Sequence, residues 1–247
     1  MKASAIIFRY RMIVNATIVI LGFWAPWIQY LGIGRRISLL EWLALELSRT
    51  GLVSFAAATP IIIVCGALIA AIGAAFRIWG SAWLGHGIVQ SSQMHSASLL
   101  ADGPYRYVRN PLYLGILFVF AALSLLMPLT GAVFTLICTP AFQLSLIFAE
   151  EKFLTAKRGE QYLAYKRSVP RLLPRLRTTL TTTGNKPHWL QAVLSELTPI
   201  GVFVTIACLS WTYDNRLMVR AIVVSFGISL VVRALLPGIK QDSAPPE

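Results

Sequence analysis

From Met12 to Gly34 the chain carries no charged side chain, and several later stretches come close to the same pattern. The hydrocarbon core of a bilayer is roughly 30 Å thick, a distance covered by about 20 apolar residues of helix. Inside lipid every backbone N–H and C=O must find its partner within the protein, and a helix meets that demand by itself. The runs therefore predict an all-α, polytopic helical membrane protein. Composition agrees: 56% of residues are hydrophobic, 13% are charged and the mean hydropathy is +0.67. A soluble domain carries about a quarter charged residues, so both a soluble enzyme and a disordered chain are excluded.

Six apolar runs can be marked, at about 12–34, 52–78, 111–127, 132–149, 197–213 and 217–236. Lys2, Arg9 and Arg11 precede the first, which lacks the short apolar region and small-residue cleavage site of a signal peptide. The segments MPLTG and YDNR are short enough to make two antiparallel hairpins. Residues 35–51 place Leu39, Leu40, Trp42 and Leu43 in an apolar patch suited to the interface. The tail QDSAPPE reads as disordered. The net charge of +12 would suggest nucleic acid in a soluble protein. Here it sorts by topology. With both termini cytoplasmic, 17 Lys and Arg fall inside, and only Arg35, Arg36, Arg49, Arg216 and Arg220 fall outside. The expected partner is the lipid bilayer, not nucleic acid. Cys65, Cys138 and Cys208 lie in apolar runs without CxxC spacing and are expected to be inert, buried thiols.

Three stretches could carry chemistry, and all fall in the cytoplasmic polar segments. In GPYRYVRNPLYLG, residues 103–115, Gly103-Pro104 turns the chain, and Asn110 and Pro111 fit the N-cap and first position of a helix. A helix N-terminus beside Arg109 suits an anion, and Tyr105, Tyr107 and Tyr113 offer faces for a purine or a cation. The same residues also make an ordinary capped helix with an interfacial belt. Glu150-Glu151 is expected at the end of the fourth run, where two carboxylates oppose the helix dipole. The pair reads either as a solvated face or as a site for a cationic or hydroxyl-rich ligand. In residues 151–176, Tyr162 and Tyr165 share a helix face before Pro170 and Pro174 end it, and an interfacial amphipathic helix accounts for the pattern. His86, His95 and His188 lack metal-ligand spacing, and Gly85-His86-Gly87 follows no strand.

Taken together, GPYRYVRNPLYLG, Glu150-Glu151 and EQYLAYKRSVPRLLP (160–174) resemble the integral-membrane methyltransferases typified by isoprenylcysteine carboxyl methyltransferase and its bacterial relatives. That family shows GxYxxxRHPxYxG, a helical hairpin, a Glu pair and EYxxYxxxVPxxxP, in the same order. The match covers about residues 77–176. It divides the chain into N-terminal transmembrane helices (1–76), a methyltransferase core (77–176) and a linker, hairpin and tail (177–247). The resemblance implies S-adenosylmethionine as methyl donor, with cofactor contacts at Gln90, Ala97, Ser98, Leu99, Leu100, Tyr105, Asn110, Pro111, Leu112, Tyr113 and Glu150. Arg109 beside the helix N-terminus suits the methionyl carboxylate, and Glu150, with Glu151 next to it, suits the ammonium. Methyl transfer requires an in-line approach and exclusion of water, and no metal is expected.

Two positions depart from the pattern. Asn110 stands where the best-known members have His, so it can hydrogen-bond but cannot exchange a proton. Leu146 stands where the eukaryotic carboxyl methyltransferases have a substrate-binding Arg, and Arg171 is the substitute cation the sequence offers. The acceptor is expected to be lipophilic or lipid-attached, with a carboxylate, amine or thiol as the methylated group. Two other readings remain: an NADPH-dependent membrane reductase of the sterol-reductase type, and a non-catalytic membrane scaffold retaining the fold.

Overall fold

The structure is a computed structural model and describes residues 8–84, 102–178, 180–182, 186–209 and 214–235. Among the described residues there is no strand, only an isolated bridge between Ser38 and Pro128. Helix α1 (Arg11–Trp24) breaks at Ala25, whose φ of 42° is left-handed, and Pro26 restarts it as the single-turn α2 (Pro26–Tyr30). Helix α3 (Leu39–Arg49) opens with a capping box in which Ser38 and Glu41 satisfy each other's backbone N–H groups. Next come α4 (Phe55–Leu84), a 3-10 turn (Gly103–Arg106), α5 (Pro111–Ser124) and α6 (Leu129–Arg158). The chain ends with α7 (Glu160–Ser168), α8 (Trp189–Ser195), α9 (Leu197–Leu209) and α10 (Asn215–Leu235).

The protein is a membrane protein, and the six runs are matched in part by its helices. Among the described residues, three helical stretches are long and apolar enough to cross a bilayer: Arg11–Tyr30, Phe55–Leu84 and Leu129–Arg158. Helices α8 and α9 meet at a 69° bend and make a fourth if counted as one span. Helix α5, with 14 residues, reaches only about 21 Å. Helices α4 and α6, with 30 residues each, extend about 45 Å and run past the bilayer.

Without a hydrophobic force between helices in lipid, close packing of small residues takes its place. Helix α4 lays Gly66, Gly73 and Gly80 along the α5 side, and a Cβ on Gly73 would press on Val119 and the Gly115 carbonyl. Helix α1 crosses α6 where Gly22 faces Gly131, so closely that any Cβ on Gly131 would collide with the Gly22 carbonyl oxygen. Ile63, Ala70, Val119, Leu123, Met127 and Ile206 form the centre of the core. Polar ties are few. Gln143 Nε2 donates to Asn15 Oδ1 at 2.8 Å, joining α6 to α1. At the α8–α9 bend, the fully buried Glu196 accepts both arms of Arg77 from α4, at 2.7 and 2.8 Å. Large apolar side chains such as Ile13, Ile20, Val64, Leu68, Ile137 and Val223 stay exposed, as lipid-facing positions should.

The cysteines differ from expectation. All three are free, but Cys65 and Cys208 are exposed and Cys138 is half-buried. Their helices turn these positions outward, where a small apolar thiol is at home in lipid.

Candidate functional site

The turn after Asp102 sets the site's geometry. Gly103 takes a φ of +52°, Pro104 follows, and a 3-10 turn delivers Tyr105 into the interior. Tyr105 is buried and its hydroxyl reaches the Gly80 carbonyl at 3.4 Å. Tyr107 packs on Trp79, ring centroids 6.0 Å apart. Both aromatics thus hold the turn against α4. Pro111 and Leu112 pack on Gly80 of the same helix.

The chain following α7 then runs beside this turn. Arg109 N–H donates to the Pro170 carbonyl at 2.8 Å, and Arg175 N–H donates to the Tyr107 carbonyl at 3.0 Å. Tyr165 donates its hydroxyl to the Tyr105 carbonyl at 2.8 Å. Asn110 does precede the first helical residue, but its side chain makes no cap. Its amide instead donates to the Arg171 carbonyl at 3.0 Å. The two prolines fix the returning chain and the turn supplies its hydrogen-bond partners, so the first and third motifs form one structural unit.

The expectation that the Glu pair ends a helix is corrected. Helix α6 continues two turns further, to Arg158, and Gly159, with a φ of +54°, makes the joint to α7. Cations remove the conflict with the dipole. Arg171 holds Glu151 with two parallel N–H donors at 3.0 and 2.9 Å, Arg109 Nη1 lies 3.0 Å from Glu151 Oε1, and Lys166 stands 3.8 Å from Oε2. Glu150, one residue away, points elsewhere and accepts the Tyr113 hydroxyl at 2.8 Å. The pair is therefore divided: Glu151 closes the charge balance of the loops, and Glu150 accepts the neutral Tyr113 hydroxyl.

Electrostatics follow from burial. Burial pushes the Tyr105 phenol well above its ordinary range, with the charge of Glu150 adding to it. Tyr162 and Tyr165 are raised in the same way, chiefly by burial, and Glu151 contributes to both. All three remain hydrogen-bond donors. The Glu151 hydrogen bonds hold the Arg171 guanidinium above its usual value.

Arg109 is the unfinished part. Its Nη1 is close to Glu151 but not aligned for a hydrogen bond, and both Nη1 and Nε are buried without an acceptor. Such donors are costly unless another group meets them. A cavity of about 470 Å³ opens beside Glu151 and Arg171, between Phe148, Thr155 and Lys166. The Arg171 guanidinium covers the Phe148 ring at 4.4 Å. Leu146 is fully buried, so the place of the family's substrate Arg belongs to the packed core.

Gln90 and Ala97, Ser98, Leu99 and Leu100 lie outside the described residues, as do His86 and His95. The remaining predicted positions come together at one end of α4, α5 and α6. Sequence reasoning missed Arg11 and Arg77, whose charges act on Tyr113 and Tyr105 respectively, with Arg11 also acting on Glu150. In the sequence Arg11 registers only as a topology signal. A cation one helix away from a carboxylate pair was the available hint.

Comparison with known proteins places the chain near membrane methyltransferases. Residues 61–161 match the phospholipid methyltransferase family. A methanethiol S-methyltransferase from Crocosphaera subtropica (strain ATCC 51142 / BH68) is 43% identical over 70 residues, which cover 28% of this chain and 27% of that protein. The aligned part is thus about a quarter of either chain. No solved structure matches.

Proposed function

We propose that this chain is an S-adenosylmethionine-dependent membrane methyltransferase of the isoprenylcysteine carboxyl methyltransferase-like kind, acting on a lipophilic or lipid-attached acceptor, a reading that the family match and the relative support. The carrying observation is the pairing of opposite needs at one end of the bundle. Arg109, although ion-paired with Glu151 through Nη1, keeps a buried Nε–H without an acceptor among the described residues, and the Glu150 carboxylate is hydrogen-bonded by the neutral Tyr113 hydroxyl with the Arg11 charge nearby. A zwitterionic amino-acid moiety supplies a carboxylate for the first and an ammonium for the second, so these residues fit the methionyl end of the donor.

When bound, the donor would supply a methyl carbon activated by a sulfonium: an acceptor lone pair would bond to that carbon as the C–S bond breaks and the neutral thioether leaves with the electron pair. The chain's own part is orientation and exclusion of water. Arg109 orients the donor's carboxylate, and Tyr113 holds Glu150 in register for the ammonium. Tyr105 and Tyr165 keep the turn carrying Arg109 fixed to the returning chain. The apolar surfaces of α4, α5 and α6 keep water out and allow a lipophilic acceptor to approach from the bilayer. The relative's name supports a thiol acceptor and the family's name a phospholipid one, so both belong in the assay.

Detergent-purified protein is expected to bind S-adenosylhomocysteine at micromolar concentration, with Glu150→Ala weakening binding at least tenfold. Labelled methyl should pass from S-adenosylmethionine into small thiols or extracted membrane lipids, and not with the variant. A folded wild-type protein that binds no S-adenosylhomocysteine would overturn the assignment.

A further inference from the structure

The end of the bundle opposite Glu150 holds a second cavity, of about 490 Å³. It lies about 30 Å away along α6, where α5 turns into α6. Arg36 from the loop before α3 and Arg216 and Arg220 from the first turns of α10 line it, over an apolar floor of Phe23, Leu126 and Val219. Three arginines from two distant segments thus share one cavity, with no carboxylate among the described residues that line it.

The nearby acids are already engaged. Glu41 Oε2 accepts from Ser38 N–H and Oγ–H at 2.8 and 2.9 Å, and Asp214 Oδ1 accepts from Leu217 N–H at 3.1 Å. None of the three arginines forms an ion pair with a described residue. Arg49, on the same side of the sequence-derived topology, is different: it is paired with Glu46 at 2.6 Å. Most of the positive charge that runs against the overall topological bias is therefore gathered at one place.

We propose that this cavity binds the phosphate headgroup of an anionic membrane lipid in the leaflet opposite the Glu150 end. Guanidinium forks match phosphate oxygens, and three arginines side by side with no ion pair to a described residue call for an anion. The floor is apolar and the cavity sits at the level where a membrane helix ends, so the glycerol and first acyl carbons have a surface below the arginines. A free anion would use the arginines alone. This inference does not depend on the methyltransferase reading.

The test titrates detergent-purified protein with phosphatidylglycerol, phosphatidylcholine or inorganic phosphate and reads thermal stability and lipids retained in native mass spectrometry. Phosphatidylglycerol should raise the melting temperature by several degrees at concentrations where phosphatidylcholine does not. Arg216→Gln and the triple variant R36Q/R216Q/R220Q should weaken phosphatidylglycerol binding at least fivefold, while Arg49→Gln behaves as wild type. Because Arg216 is exposed, its single variant keeps the test valid if the triple variant misfolds. Undiminished lipid binding by folded Arg216→Gln would overturn the proposal. So would inorganic phosphate stabilising as strongly as the lipid, since the site would then take a free anion.

Discussion

Glu151 is touched by three cations and is nearly inaccessible to solvent, whereas Arg171 is one-third exposed. Removing one member of a buried ion cluster leaves the others uncompensated, at a cost of about 3–5 kcal/mol when burial is complete. Solvent screening of Arg171 brings the expected loss for Glu151→Gln toward about 3 kcal/mol. Arg171→Gln should cost less, because Arg109 and Lys166 still neutralise the carboxylate. The double variant should be less destabilised than the sum of the two, which a double-mutant cycle of thermal unfolding in detergent reads directly. The tyrosines set a pH limit. Tyr105, Tyr162 and Tyr165 bind their protons more tightly in the folded protein than in the unfolded chain, mainly through burial. Their contribution is complete below the ordinary phenol value of 10.0 and is lost as pH rises toward the raised values. Melting temperature should therefore fall above about pH 10, and Tyr165→Phe should flatten that fall while costing about 1 kcal/mol at neutral pH through its lost hydrogen bond.

Helix packing rests on contacts that hydropathy does not reveal. The apolar runs marked the helices because periodicity and length are local properties, and α1, α4, α5 and α6 appear where the runs lie. The crossing of α1 and α6 is set by two glycines that look unremarkable in a charge-poor sequence. A Gly131→Ala methyl would meet backbone at Gly22, which can yield only if the helices separate. We expect a loss of about 2–3 kcal/mol, in the range of overpacked cores. Gly227→Ala, in α10 with open space around it, should be neutral or gain up to about 1 kcal/mol from helix propensity. Thermal unfolding of the pair distinguishes close approach from propensity. The Glu pair was legible as an oddity because acids are scarce here. Its division was not, since the partners of Glu151 come from the turn before α5, from α7 and from the chain after it. The continuation of α6 to Arg158 was hidden for the same reason: the sequence turns polar at residue 150, and only tertiary neutralisation allows the helix to go on.

At the scale of the whole molecule, charge asymmetry and hydropathy mark a membrane protein with six runs, and among the described residues three helices, or four with the bent pair counted as one, are long and apolar enough to cross a bilayer. Hydropathy counts apolar residues without measuring helix length or bend. Run 111–127 became the short α5, and run 197–213 became part of a bent pair. Orientation rests on the distribution of Lys and Arg, a property of the chain as a whole. The turn at 102–110, α7 and the loop after it share one end of the bundle, while the capped start of α3 meets the α5–α6 turn at the other. If the basic end faces the cytosol, the Arg109 and Glu150 site meets a cytosolic methyl donor, and the cavity lined by Arg36 and Arg216 faces the opposite leaflet. Single cysteines at the exposed positions Thr50→Cys and Ala164→Cys, introduced with Cys65, Cys138 and Cys208 replaced by Ser, test this. In intact cells an impermeant maleimide should label the cysteine at position 50, and should label position 164 only after permeabilisation. The reverse pattern would invert the molecule and separate the proposed donor site from the compartment that supplies the donor.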